Sequence, residues 1–271
     1  MPFPRNGPVW LADRVATFAF DTPSLGRVRR PGAGYRLFCM PFPGSAASAF
    51  LPWAELLPPD VELCAAQLPG REDRFDEPLV TDFTALLDEL VGAVAPYTDL
   101  PFAVFGHSAG ALLAFELVRA LQERRGAVAQ ALFVSAEPPP DAPRDGERLH
   151  TLDDAGFLRR LVDRGGTPPE IAGNAELMEL LLPVLRADFT WCERYEYRPG
   201  PPLARPLTAF AGRHDRVVGA DRVRGWSART TGPFELHVVD GDHFFVRDAK
   251  QDVVSRIVGT LRSAPRPAGG T

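Results

Sequence analysis

The stretch Phe102-Ala103-Val104-Phe105-Gly106-His107-Ser108-Ala109-Gly110 decides how this chain folds. Its first four residues form a short apolar run of the length expected for a buried strand. Small residues then bracket a serine in Gly106-x-Ser108-x-Gly110, and helix-forming sequence runs from Ala109 to Arg125, stopping near Gly126. A strand that passes straight into a helix around Gly-x-Ser-x-Gly leaves the serine on a strained turn with its hydroxyl in the open, and the glycines let strand and helix pass closely. Ser108 is therefore the candidate nucleophile.

Working outward, the same rhythm repeats on both sides. Tyr35 to Met40 and Val61 to Ala66 read as strands, with a helix over Ser48 to Leu57 between them. From Asp82 to Ala95, Phe83, Leu86, Leu87, Leu90, Val91 and Val94 fall at helical spacing, with Thr81 or Asp82 as N-cap and Pro96 as the stop. Downstream, Ala131 to Ala136, Leu207 to Ala211 and Phe234 to Val239 read as strands, with helices near Asp221 to Arg229 and from Ala249 to Leu261. Strands alternating with helices predict an α/β fold, a doubly wound and mostly parallel sheet covered on both faces. The rhythm breaks between about 138 and 202, where helical stretches at Asp154 to Asp163 and Ala175 to Arg186 suggest a helical lid insertion. Residues 1–34, rich in Pro and Gly, read as an extended arm, 35–262 as the α/β domain, and 263–271 as a disordered tail.

Composition sets limits on function. The 271 residues carry 45% hydrophobic and 24% charged residues, ordinary for a globular chain, and a net charge of -5 that offers no general basic field to nucleic acid or an anionic membrane. Cys39, Cys64 and Cys192 are too scattered for a disulfide framework or a zinc site and read as buried thiols in a reducing compartment. The first residues hold no apolar core of a secretory signal, and no run approaches the ~18 apolar residues of a membrane span. The expectation is a cytoplasmic monomer with no metal.

A serine hydroxyl needs an adjacent base, and in this kind of fold the chain order is Ser, then Asp or Glu, then His. Of five histidines, His107 precedes the serine, His150 opens the insertion, and His237 falls inside an apolar strand where a core role is expected. His214 has Asp215 beside it as a better claimant on that loop. His243 follows the strand ending at Val239, at the strand's C-terminal end where open α/β sheets place their ligands. Asp215, just past the strand Leu207 to Ala211, is the candidate to accept the Nδ1 proton of His243. Asp240 and Asp242 share a tight turn with His243 and are poorly placed to reach its ring, while Asp221 is expected to start a helix. For the oxyanion, the backbone N–H of Ala109 is one donor; in the early loop Pro41-Phe42-Pro43-Gly44-Ser45, Pro43 has none, which leaves Phe42.

Together these residues resemble the type II thioesterases, the stand-alone α/β-hydrolase enzymes of polyketide and nonribosomal peptide assembly lines. The resemblance runs from about Tyr35 to Leu261. Beyond the triad it rests on Gln67-Leu68-Pro69-Gly70-Arg71-Glu72-Asp73-Arg74, Phe115-Glu116-Leu117, Gly165-Gly166-Thr167-Pro168, Leu181-Leu182-Pro183-Val184-Leu185-Arg186-Ala187-Asp188 and Gly241-Asp242-His243-Phe244-Phe245. The chain departs from the family in having Ala109 where Met is common after the nucleophile, and Pro43-Gly44-Ser45 where Ala-Gly-Gly is common. The resemblance implies hydrolysis of acyl groups from the phosphopantetheine thiol of acyl or peptidyl carrier proteins, with no cofactor beyond the arm the substrate brings. It also suggests Arg71, Phe157, Leu181, Phe189 and Phe244 as substrate contacts, against the alternatives that Arg71 stabilises a turn and that most of the apolar insertion residues only pack the lid. Arg159, Arg160, Arg164 and Arg186 could meet an acidic carrier, but a solvated helix face is the expected role. An ester hydrolase or acyltransferase on the same scaffold, and a non-catalytic binding protein, are the competing readings.

Overall fold

The computed structural model describes residues 16–144, 146–165 and 172–263. Eight strands form one sheet: β1 (Ala19–Thr22), β2 (Leu25–Val28), β3 (Tyr35–Met40), β4 (Val61–Ala66), β5 (Phe102–His107), β6 (Ala131–Ser135), β7 (Leu207–Gly212) and β8 (Phe234–Val239). Their spatial order is β1-β2-β4-β3-β5-β6-β7-β8, and every pairing from β4 to β8 is parallel. The central strands are buried along their full length, and consecutive residues feed opposite faces. Along β3, Phe38 and Met40 join the layer under α1 (Phe83–Val94) and α2 (Ala109–Arg125), while Leu37 and Cys39 join Phe50, Trp53 and Ile257 on the other side. The doubly wound α/β sheet expected from the pattern is the fold observed.

Local chemistry sets the element ends. The Asp82 carboxylate accepts a hydrogen bond from the Ala85 N–H at 2.7 Å and starts α1, while Gly126, at φ 66°, ends α2 in the left-handed conformation that glycine adopts without penalty. The segment expected as a helix over Ser48 to Leu57 is instead a 3-10 helix, Ala47–Glu55, with Pro52 inside it. Pro52 has no N–H for an i→i−4 bond, which disfavours regular α geometry there.

One expectation is overturned. The described part of the expected arm, residues 16–34, is not simply extended, because β1 and β2 form an antiparallel hairpin whose second strand pairs with β4 and extends the sheet. Strands of four residues are too short to show an alternation, and Gly26 weakens the apolar signal further. The hairpin is tied down by charge: Arg27 and Arg36 both reach the buried Glu62, and Arg27 also pairs with Asp21.

The insertion holds α3 (Asp154–Asp163) and α4 (Ala175–Glu193), close to the expected helices. Asp153 and Asn174 cap them, each accepting from the N–H three residues on, those of Gly156 and Leu177. Leu149, Phe157, Leu161, Met178 and Leu185 make a small core of their own. The chain returns through β7 to α5 (Ala220–Arg224), β8, α6 (Phe245–Asp248) and α7 (Lys250–Ser263). The expected tail beyond Ser263, Gly166-Thr167-Pro168 and the start of the arm lie outside the described residues.

Candidate active site

The end of β5 delivers Ser108 at φ 51° and ψ −134°, a strained backbone for a residue with a Cβ. Two glycines allow it. A Cβ on Gly106 would lie 2.1 Å from the Gly110 carbonyl oxygen, and one on Gly110 would lie 2.5 Å from that of Pro41. The Ser108 N–H donates to the Ser135 carbonyl at 2.8 Å, fixing the turn against β6.

Ser108, His243 and Asp215 come together, although 135 residues separate the first two. His243 Nε2 stands 3.2 Å from Ser108 Oγ, and His243 Nδ1 stands 2.8 Å from Asp215 Oδ2. The other oxygen of Asp215 accepts from the N–H groups of Val217 and Val218 at 2.7 and 2.9 Å, so the carboxylate is fixed from both sides. Its side chain is wholly buried. The loops after β7 and β8 are stitched together by Arg213 N–H to Val239 C=O and His214 N–H to Gly241 C=O. Gly241, at φ 140°, occupies a conformation that L residues rarely adopt, and this turn presents His243 to the serine.

The other candidates are accounted for. Asp242 accepts from the Phe244 N–H at 2.7 Å, and the exposed Asp240 lies 3.3 Å from His214 Nε2. Asp221 sits in the first turn of α5, as expected. His150 is held by Glu193 at 2.6 Å. His237 differs from the core role expected of it: β8 is an edge strand, and this ring is partly exposed and paired with Glu235. His107 is fully buried behind His243, with ring centroids 5.4 Å apart and its Nδ1 2.9 Å from Ser135 Oγ. Burial keeps this imidazole well below its ordinary pKa, with the neighbouring His243 acting in the same direction.

A cavity of about 650 Å³ opens from this cluster. Phe42, Ala109, Ser108, His243 and Phe244 line its reactive end, so both expected backbone donors border the serine. Ala109 is the first residue of α2, where an N–H has no acceptor within the helix. Farther in, the insertion contributes Leu161, Leu185, Phe189 and Cys192, and charged groups include Glu137, Arg144 and Arg164.

Of the five substrate contacts suggested, Phe189 and Phe244 line the cavity and three residues do not. Arg71 is buried with its guanidinium spent on Asp188 and on the Ser45 and Pro69 carbonyls, so it braces the fold. Phe157 is completely buried in the insertion's own core, and Leu181 packs against that core. Apolar helical spacing identifies a buried face but not which of two neighbouring spaces that face fills. Arg186 likewise braces the insertion, donating to the carbonyls of His150 and Leu152, whereas Arg164 reaches the cavity. Sequence reasoning gave no role to Asp188 or Glu137. Both are buried carboxylates with an arginine partner: that of Asp188 lies 117 residues away, and that of Glu137 lies seven residues on in the same loop, where no regular spacing marks the pairing.

A strained serine turn on a mostly parallel sheet, with a histidine and a buried aspartate from the next strand ends, defines the α/β-hydrolase class. Residues 35–261 match the thioesterase domain family, and the chain belongs to that family. It is 40% identical to linear gramicidin dehydrogenase LgrE of Brevibacillus parabrevis, covering 84% of this chain and 88% of that one. It is 37% identical to gramicidin S biosynthesis protein GrsT of Aneurinibacillus migulanus, over 87% and 92%. Among solved structures, it is similar to the type II thioesterase BorB from the borrelidin biosynthetic cluster, with a TM-score of 0.81, 36% identity, and coverage of 89% and 98%. The resemblance read from the motifs is thus borne out, and the chain is an enzyme acting on thioesters.

Proposed function

We propose that this enzyme hydrolyses acyl or aminoacyl thioesters carried on the phosphopantetheine arm of acyl or peptidyl carrier proteins, in service of a nonribosomal peptide or polyketide pathway. The observation that carries the mechanism is the relay from Ser108 Oγ to His243 Nε2 at 3.2 Å and from His243 Nδ1 to Asp215 at 2.8 Å. Ser108 attacks the thioester carbonyl while His243 takes its proton, and Asp215 holds the ring tautomer and stabilises the imidazolium. The N–H groups of Phe42 and Ala109 receive the oxyanion. Collapse expels the pantetheine thiolate, which takes the proton from His243; water activated by the same ring then releases the acid and restores Ser108.

The relatives' pathway names support the carrier-bound substrate, and the cavity supports an acyl group of modest length in a chamber with polar as well as apolar walls. Helices α3 and α4 act as a lid over that chamber, since Leu161, Leu185 and Phe189 form part of its lining. The dehydrogenase in one relative's name is not carried over, because the α2 entrance presents the Ser108 turn and its relay. The carrier supplies its own prosthetic arm, so the enzyme brings no cofactor, and it works as a cytoplasmic monomer. No helix among the described residues is long and apolar enough to cross a membrane.

The test is a panel of carrier-loaded acyl groups, with acyl-CoA and oxygen esters beside it, followed by intact-protein mass spectrometry. Wild type is expected to clear the carrier, and Ser108→Ala to leave it loaded with no acyl adduct on the enzyme. Fast turnover of oxygen esters with untouched carrier thioesters would overturn the substrate reading.

A further inference from the structure

Asp188 lies on α4, 1% exposed, and every acceptor direction of its carboxylate is taken. One oxygen accepts from the Gly44 N–H at 2.8 Å and from Arg71 Nη1 at 2.7 Å. The other accepts from Arg71 Nη2 at 2.8 Å and from Trp191 Nε1 at 3.1 Å. Arg71 Nη1 also donates to the Ser45 carbonyl at 3.0 Å. Ser45 in turn gives both its N–H and its hydroxyl to the Phe42 carbonyl, at 2.9 and 2.7 Å. Gln67 closes the brace, accepting from the Ala47 N–H and donating to the Arg71 carbonyl.

A second contact comes from one helical turn earlier. Gly44 has φ +75°, and a Cβ there would lie 2.5 Å from Leu185 Cδ2, so Leu185 sits directly against the loop. The spacing of three residues puts Leu185 and Asp188 on the same face of α4. That face presses on the loop from Pro41 to Ser45, which carries the Phe42 N–H beside the nucleophile. An oxyanion donor works within a narrow range, about 2.7–3.1 Å from the developing charge, and a displacement of about 1 Å can cost on the order of 10²-fold in rate.

We propose that Asp188 is a positioning residue for catalysis: through Gly44, Arg71 and Ser45 it fixes the loop that aims the Phe42 N–H, so that the oxyanion hole is complete only with α4 docked. This rests on the serine-hydrolase reading of the site. It gives one physical reason for the Gln67 to Arg71 and Leu182 to Asp188 runs: they are two halves of a joint between the insertion and the reaction centre.

The test separates aim from stability. Removing one partner strands a buried charge, so the main variant is Arg71→Met with Asp188→Leu, which removes both charges and the Gly44 anchor together. Turnover of a carrier-bound acyl thioester is measured beside the affinities of an alkyl boronic acid, which forms a tetrahedral adduct on Ser108, and of a matched thioether, which does not react. The double variant is expected to melt cooperatively, with kcat lowered about 10- to 100-fold and KM within about threefold. Boronic acid affinity should fall with kcat while thioether affinity holds. A folded double variant with wild-type kcat and boronic acid affinity overturns the proposal, as does equal loss of both ligands, which marks a general collapse of the chamber. Should the double variant fail to fold, Asp188→Asn carries the same comparison, with selective loss of boronic acid affinity expected and unchanged affinity counting against it. A wild type that binds the boronic acid but ignores carrier thioesters defeats the substrate reading and leaves this one standing.

Discussion

Asp215 is the residue whose chemistry is most constrained. Its carboxylate accepts from two backbone N–H groups on one oxygen and faces His243 Nδ1 on the other, in full burial. In Asp215→Asn, an amide that keeps its oxygen on the backbone donors must turn its NH2 toward His243, which selects the wrong tautomer. Steady-state kinetics should show kcat reduced about 10³- to 10⁴-fold with little change in KM. His107 provides a separate reading through pH. Burial holds its pKa well below the ordinary value, so the folded protein resists adding a second proton to the ring, whereas in the unfolded chain it titrates at about 6.5. Below that pH the unfolded state holds the extra proton, so stability falls as pH falls, by about 1.4 kcal/mol per unit for one such group. Urea midpoints at pH 7.5 and 5.5 should therefore differ, and His107→Gln should reduce the difference; an undiminished slope would assign it to other groups. The serine, histidine and aspartate were legible because chain order and strand-end position constrain them. Asp188 was not, because its meaning depends on Gly44 and Arg71, which lie 144 and 117 residues away in sequence.

Among elements, the entry to α2 has the least room for change. Gly110 faces the end of β3 with a Cβ position 2.5 Å from the Pro41 oxygen and 2.6 Å from the Met40 oxygen, both rigid backbone. Gly110→Ala must push α2 away from β3, separating the Ala109 N–H from the Phe42 loop. A stability loss of about 1–3 kcal/mol is expected from the overpacking, together with a fall in kcat in the fraction that remains folded. Urea unfolding and active-site titration with a serine-directed fluorophosphonate separate the two effects; full stability and full turnover would show that the loop follows the helix. This element was readable because glycine spacing, apolar strand and helix start coincide in nine residues. Helix ends were also readable where a cap marked them, as at Asp82 and Gly126. The 3-10 helix at Ala47–Glu55 was less so, since apolar spacing does not distinguish it from an α-helix.

Across the whole molecule, the sheet has two edges, and the one remote from the reaction centre is covered by the hairpin that sequence patterning missed. Without β1 and β2, β4 would become an edge strand whose six residues are all buried in the intact protein. A flat apolar edge with unpaired N–H and C=O groups invites pairing with another chain. The hairpin also supplies Arg27 to Glu62, which is 4% exposed and would keep Arg36 as its one ion-pair partner, beside the Arg30 N–H. A chain starting at residue 29 should lose stability and associate with increasing concentration, as measured by thermal unfolding and sedimentation velocity. Turnover per folded monomer should hold, because the nucleophile stands at the end of β5, with β3 and β4 between it and the hairpin. Monomeric behaviour and an unchanged melting temperature in the shortened chain would show that β4 is protected by its own neighbours. Association accompanied by loss of turnover in the monomer would instead tie the hairpin to the site through the β3 loop.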